Sequence, residues 1–192
     1  MGGTVKSIET PRLTIRLPQI TDVPEVIRYY QENRAHLQPF SPAFAPDFLE
    51  VATWLEQVSV RAREFEAGDS FRAFLFERES PARVIGNINL TQVQRGAFYS
   101  CVLGYNLAAT EQGKGYMTEA VRGAVAFAFR VWKLHRVAAS YMPRNIRSAA
   151  VLQRCGFEVE GHAPAYLLIN SRWEDHVLTS ITNPAWDEVR QP

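Results

Sequence analysis

The chain has 192 residues, 46% of them hydrophobic and 21% charged, a composition ordinary for a globular protein and a length that suits one domain. A formal net charge of +1 provides no global field for nucleic acid or an acidic membrane, so neither is expected as a partner. No apolar run approaches the roughly 20 residues that span a bilayer, and two cysteines, Cys101 and Cys155, make no disulfide framework.

The start, Met1-Gly2-Gly3-Thr4-Val5-Lys6, lacks the apolar core of a signal segment. Lys6 stands where a myristoylation motif has Ser or Thr. A cytoplasmic protein is expected. Residues 12–17 alternate polar and apolar, the pattern of a half-buried strand. Asp22, Pro24 and Glu25 read as a helix start, with a cap, a first-turn proline and an acid three residues on; that helix runs to about Leu37. A loop over 38–46 follows, carrying Pro39, Pro42, Pro46, Phe40 and Phe44. A second helix spans about 48–67 and closes at Gly68. Strands over about 71–77, 84–93 and 98–107, parted by Pro81 and Gly96, read as an antiparallel meander.

Then comes Glu111-Gln112-Gly113-Lys114-Gly115-Tyr116-Met117-Thr118-Glu119-Ala120, which opens a helix over about 116–132. Val121, Val125, Ala128, Phe129 and Trp132 fall on one face of it. A strand over 136–141, the breaker Pro143-Arg144-Asn145, and a short helix over 146–154 ending at Gly156 complete the unit. Strands over 166–169 and 177–181 flank the turn Asn170-Ser171-Arg172. With no repeat and no linker, residues 1–192 read as a single mixed α/β domain.

The two glycines around Lys114 suit a turn that something approaches closely. A nucleotide P-loop needs G-x-x-x-x-G-K-[ST], but Lys114 is followed by Gly115 and no glycine stands five residues before Gly113. A dinucleotide fingerprint needs G-x-G-x-x-G and an acid ending the next strand. Thr118 takes the third glycine's place, and the strand ends Ser140-Tyr141-Met142-Pro143. On its own the turn reads as a plain tight turn.

Its context changes that. Gln112-x-x-Gly115 lies between a strand and a long helix, and Asn145 and Arg154-Cys155-Gly156-Phe157 follow at set distances. The chain resembles the GNAT acyltransferase superfamily, whose pattern is [Gln/Arg]-x-x-Gly-x-[Gly/Ala], then Asn-x-x-[Ser/Ala] and a Gly-Phe pair. Within it the chain is similar to the Rim-type ribosomal-protein alanine N-acetyltransferases through Glu9-Thr10-Pro11-Arg12-Leu13, Leu103-Gly104-Tyr105, the quoted turn, Tyr141-Met142-Pro143-x-Asn145, Tyr166-Leu167-Leu168-Ile169-Asn170 and Trp173-x-Asp175-His176-Val177-Leu178-Thr179. Met117 departs from the general pattern.

The resemblance implies the GNAT fold: a mixed, mostly antiparallel sheet of about seven strands, splayed between the fourth and fifth, with about four helices. It implies acetyl-CoA as co-substrate, no metal, and an amine acceptor, the N-terminal alanine of a ribosomal protein. The partner would then be a protein N-terminus, and the enzyme a monomer or homodimer. Gln112, Gly113, Lys114, Gly115, Tyr116, Met117 and Thr118 would hold the pyrophosphate at a helix start. Tyr105, Asn106 and Leu107 would pair with the pantetheine arm, and the Leu107 N–H would face the thioester oxygen. Asn145 would bond the pantetheine, although Asn is also an ordinary turn residue before a helix.

The positions where such enzymes carry an acid or base are filled here by Val102, Leu152 and Ala165. Ser148 and Tyr166 remain as expected catalytic residues. Ser148 would hydrogen-bond the leaving thiolate, against a first-turn helix role; Tyr166 would order water or donate a proton, against a place in the core. His162 and His176 are of the type that titrates near neutrality but read as structural. Glu160 reads as an exposed carboxylate, and Cys155 as packing. Phe40 and Phe44 either cradle a peptide or cover the core, and Asp47 and Glu50 either attract a basic N-terminus or start a helix. Two alternatives stand beside this reading: acetylation of a small amine such as an aminoglycoside or polyamine, and a non-catalytic acetyl-CoA-binding module.

Overall fold

The computed structural model describes residues 7–186; residues 1–6, on which the signal-segment and myristoylation readings rest, lie outside them. Eight strands, β1 (Ser7–Glu9), β2 (Leu13–Arg16), β3 (Phe71–Glu77), β4 (Ser80–Gln94), β5 (Ser100–Leu107), β6 (Arg136–Tyr141), β7 (Glu158–Ile169) and β8 (Arg172–Thr182), form one sheet in the order β1-β2-β3-β4-β5-β6-β8-β7. Four α-helices cover it: α1 (Val23–Leu37), α2 (Val51–Ala67), α3 (Tyr116–Arg130) and α4 (Ile146–Arg154).

The central strands are near-continuous apolar runs because helices cover both faces. On one face Leu13, Ile15, Leu75, Ile85 and Leu103 pack with Val121, Ala124 and Ala128 of α3. On the other, Phe74 and Phe76 pack with Tyr30 of α1 and Trp54 of α2, whose rings stack at 5.5 Å. Each such fully buried side chain contributes about 1.5–3 kcal/mol of transfer free energy.

The sheet has one strand more than the expected seven. β1 is only three residues long, too short to show a period. β7 and β8 run well beyond the expected segments, because most of β7 is exposed and so carries no apolar alternation. α2 starts at Val51, after a turn in which Phe48 N–H donates to Ala45 O and Glu50 N–H to Asp47 O. Asp22 makes no side-chain cap on α1. Its carboxylate is taken by Arg16 and by the Gln19 N–H, 2.7 Å away.

β4 and β5 lie so close at Gly86 that an added Cβ would stand 2.6 Å from the Asn106 carbonyl oxygen. Gly86→Ala is expected to force the strands apart and to destabilise the protein by about 1–3 kcal/mol, read as a lower denaturation midpoint in urea. An unchanged midpoint would mean that the strand pair yields freely there.

Candidate active site

β5 and β6 run parallel and pair only from Ser100↔Arg136 to Leu103↔Ala139. Beyond that point β5 keeps β4 as its partner, through Asn89↔Gly104, Ile88↔Tyr105, Asn87↔Asn106 and Gly86↔Leu107, while β6 follows β8. The gap between them opens into a cleft of about 1770 Å³, larger than the roughly 300–1,000 Å³ of a drug-sized site and roomy enough for two substrates. Ala108 N–H donates to Ile85 O on β4 at 2.8 Å. Successive amides along a strand point to opposite sides, so the Leu107 N–H points away from β4, toward the gap.

The turn after β5 forms the next wall. Gly113 and Gly115 have φ of 79° and 83°, a left-handed conformation that costs side-chain-bearing residues roughly 1–2 kcal/mol. Among the described residues the amides of 113–118 donate no hydrogen bond; the first that does is Glu119 N–H, to Gly115 O at 3.1 Å. Six successive unpaired N–H groups at the start of α3, with the positive end of its dipole, make an anion site.

A carboxylate frame holds this turn. Glu119 accepts from the Thr10 hydroxyl (2.6 Å), Arg12 N–H (2.8 Å) and Arg12 Nε (2.7 Å). Arg12 Nη1 donates to Lys114 O at 2.9 Å, and the guanidinium lies over the Tyr116 ring. Glu111 is 2% exposed. Burial pushes its carboxyl up, but hydrogen bonds from Lys114 and Arg83 outweigh that and hold it below the usual range.

The expected cofactor residues divide accordingly. Gln112, Gly113, Gly115, Met117 and Thr118 line the cleft. Lys114 turns its ammonium to Glu111, 2.7 Å away. Tyr116 sends its hydroxyl to Glu77 at 2.6 Å, and the Met117 side chain is buried in the core. For these three the backbone, not the side chain, faces the anion site. The Asn106 side chain accepts from Tyr29 Oη at 2.6 Å.

On the far wall, Asn145 caps α4: its Oδ1 accepts from Ser148 N–H at 3.2 Å. Ser148 Oγ lies 2.9 Å from Tyr105 Oη, which also reaches Ser148 O at 3.2 Å. This pair spans the splay from β5 to α4. Burial pushes the Tyr105 phenol well above its ordinary range, so the hydroxyl keeps its proton. Tyr166, the other expected catalytic residue, is not among the side chains that line the cleft; its ring centroid lies 5.7 Å from that of His176, which does line it.

Other candidates resolve in the structure. Glu160 is held below its usual range, chiefly by its hydrogen bond with Arg136. His162 pairs with Asp175 at 3.5 Å. Burial raises the Cys155 thiol, away from nucleophilic use. Phe44 stacks on Phe48 at 4.5 Å in the core, whereas Phe40 is 41% exposed, lies under Arg144 and lines the cleft. Asp47 accepts from Thr53 Oγ1 at a helix start.

Sequence reasoning missed the cationic rim: Arg12, Arg122, Arg147 and Arg154 line the cleft near the turn. Arg147 bonds the Gln112 side chain, which in turn meets His36 at 2.9 Å. Only Arg12 and Arg154 left a trace, inside the Thr10-Pro11-Arg12 and Arg154-Cys155-Gly156-Phe157 stretches. Asn87, 4% exposed and bonded by its Nδ2 to Tyr30 Oη at 2.8 Å, also lines the cleft and left no sequence signal. Among the described residues no cluster of three or more His, Cys, Asp or Glu is placed to hold a metal.

Comparison with known proteins agrees with this geometry. Residues 12–158 match the family model described as Acetyltransferase (GNAT) domain. The chain is 38% identical over 183 residues to the [Ribosomal protein uS5]-alanine N-acetyltransferase of Escherichia coli K12, covering 95% of this chain and 94% of that one. Among solved structures, the ribosomal-protein-S5-alanine acetyltransferase of Vibrio fischeri superposes with a TM-score of 0.88 at 33% identity, over 94% of this chain and 98% of that one. Mycobacterium smegmatis RimJ in complex with CoA-disulfide superposes with a TM-score of 0.84 at 27% identity, over 96% and 88%.

Proposed function

The chain belongs to the GNAT acetyltransferases and is an acetyl-CoA-dependent N-acetyltransferase; we propose that its acceptor is the N-terminal alanine of a ribosomal protein, acetylated in the cytoplasm by one domain spanning residues 1–192. The observation that carries the acceptor is the likeness, nearly end to end, to enzymes of that specificity. The cleft is consistent with it, having the volume for a peptide beside the co-substrate and an exposed Phe40 in its lining.

In this reading the unpaired amides of 113–118 receive the pyrophosphate, with Arg12 and Arg147 beside them as added positive charge. The open edge of β5 over residues 104–107 receives the pantetheine arm, and Asn145 bonds it from α4. The acceptor nitrogen attacks the thioester carbon, a C–N bond forms, and the carbonyl oxygen gains the negative charge that the Leu107 N–H faces. On collapse the C–S bond breaks. Ser148, whose Oγ shares a hydrogen bond with the Tyr105 hydroxyl, directs a proton to the departing sulfur.

Ser148→Ala is therefore expected to lower kcat with little change in acetyl-CoA affinity, because the bond is made mainly in the transition state. One hydrogen bond to a charged group is worth about 1.5–3 kcal/mol, or roughly tenfold to a hundredfold in rate. An unchanged kcat would leave Ser148 as a helix residue.

The acceptor assignment is tested by turnover of acetyl-CoA with a panel of amines: an alanine-starting peptide, a polyamine and an aminoglycoside. Release of free thiol with the peptide alone is the expected result. Turnover confined to the small amines would refute the peptide assignment.

A further inference from the structure

Val102, Leu152 and Ala165 leave the usual proton-handling positions without an ionisable group, yet an acceptor amine must lose a proton before it can attack. Two histidines line the cleft, His36 and His176; His36 Nε2 is taken by the Gln112 side chain at 2.9 Å, which leaves His176. His176, on β8, is 4% exposed. Its Nδ1 lies 3.0 Å from Glu174 O. A carbonyl oxygen only accepts, so Nδ1 carries a proton, and whenever the ring is neutral the lone pair is on Nε2. Nε2 has no hydrogen-bond partner among the described residues. It is not sealed off either: Arg61 Nε is the buried side-chain polar atom without a partner, and His176 Nε2 is not another. The little surface that this ring exposes therefore includes Nε2, in a residue that lines the cleft.

We propose that His176 Nε2 is the base that takes a proton from the acceptor amine; this rests on the N-acetyltransferase reading of the cleft and deepens it. The acceptor arrives as an ammonium ion. One proton passes to Nε2, and the freed lone pair forms the C–N bond to the thioester carbon. The second proton leaves the nitrogen as the C–S bond breaks and is delivered to the sulfur through Ser148. Products are the amide and the free thiol, and the proton on His176 returns to water.

The surroundings suit this role. The ionisable groups around the ring are Tyr166 on β7, whose ring centroid lies 5.7 Å away, and the chain neighbours Glu174 and Asp175 on β8. Glu174 is paired with Arg144 at 2.9 Å and Asp175 with His162 at 3.5 Å, so neither carboxylate engages the imidazole. The Glu174 carbonyl fixes the ring orientation, as a second partner of a catalytic histidine characteristically does.

The test is the pH profile of kcat in His176→Asn, at saturating acetyl-CoA and with whichever amine of the panel the wild type turns over. Asparagine Nδ2 retains the donor to Glu174 O and removes the basic Nε2. At neutral pH kcat is expected to fall by about a hundredfold or more, with wild-type acetyl-CoA affinity by calorimetry. The acid limb should move up to the ionisation of the acceptor itself, about 7.7–8.0 for an α-amine, so that most activity returns in alkaline solution. If His176→Asn does not fold, His176→Gln is measured in the same way. A wild-type profile in the folded variant, whatever its absolute rate, would show that His176 only packs. Failure of the wild type with every amine would overturn both the base and the N-acetyltransferase reading; activity confined to small amines would overturn the peptide acceptor alone.

Discussion

Gly115→Glu is expected to abolish acetyl-CoA binding in a protein that still folds. Gly115 has φ of 83°, so any side chain there is strained by roughly 1–2 kcal/mol. The space around it is otherwise open: a Cβ would meet only Arg12 Nη2, at 3.5 Å. The strain is small beside the stability of a typical domain, and the fold should survive. Binding should not, because the new carboxylate stands among the unpaired amides of 113–118 and competes with the pyrophosphate for them. Hydrogen bonds to a charged group are worth about 1.5–3 kcal/mol each, and loss of two or three amounts to a hundredfold or more in affinity. Gly115→Ala separates strain from charge and should bind within about tenfold of wild type. Calorimetry that finds wild-type affinity in a folded Gly115→Glu protein would remove the anion site from the account.

The second large effect concerns which amine reacts. An α-amine with a pKa of about 7.7–8.0 is roughly a tenth neutral at pH 7, whereas a lysine near 10.4 is neutral in fewer than about one molecule in a thousand. Val102 and Ala165 put no carboxylate beside the acceptor. An imidazole is matched to an α-amine and poorly matched to lysine. The difference in neutral fraction alone favours the N-terminus by over about a hundredfold.

The parts of this site that were legible in the sequence are those whose chemistry is local. Gly113 and Gly115 announce their turn because no other residue adopts that backbone at low cost, and Asn145 announces a helix start because its carboxamide caps α4. The roles of Lys114, Tyr116 and Met117 were only half legible. Spacing places their amides at the helix start, but Glu111, Glu77 and the core, all set by tertiary structure, decide where their side chains go. The Tyr105–Ser148 bond joins residues 43 apart across a splay with no local signature. Phe40 and Phe44 look alike in one proline-rich loop, yet only the packing of Phe44 on Tyr30 and Phe48 sends it inward. His176 reads as structural in a strand until the carbonyl of Glu174, which takes Nδ1, leaves Nε2 without a partner among the described residues.

The central claim, acetylation of an N-terminal α-amine, is tested most directly by mass spectrometry of two peptides of one sequence after incubation with acetyl-CoA. One begins with a free alanine and contains lysine; the other has its N-terminus blocked and its lysines free. The account predicts a single acetyl group on the alanine nitrogen of the first and almost none on the second. Acetyl groups on the lysine side chains of either peptide, with the free alanine untouched, would contradict it.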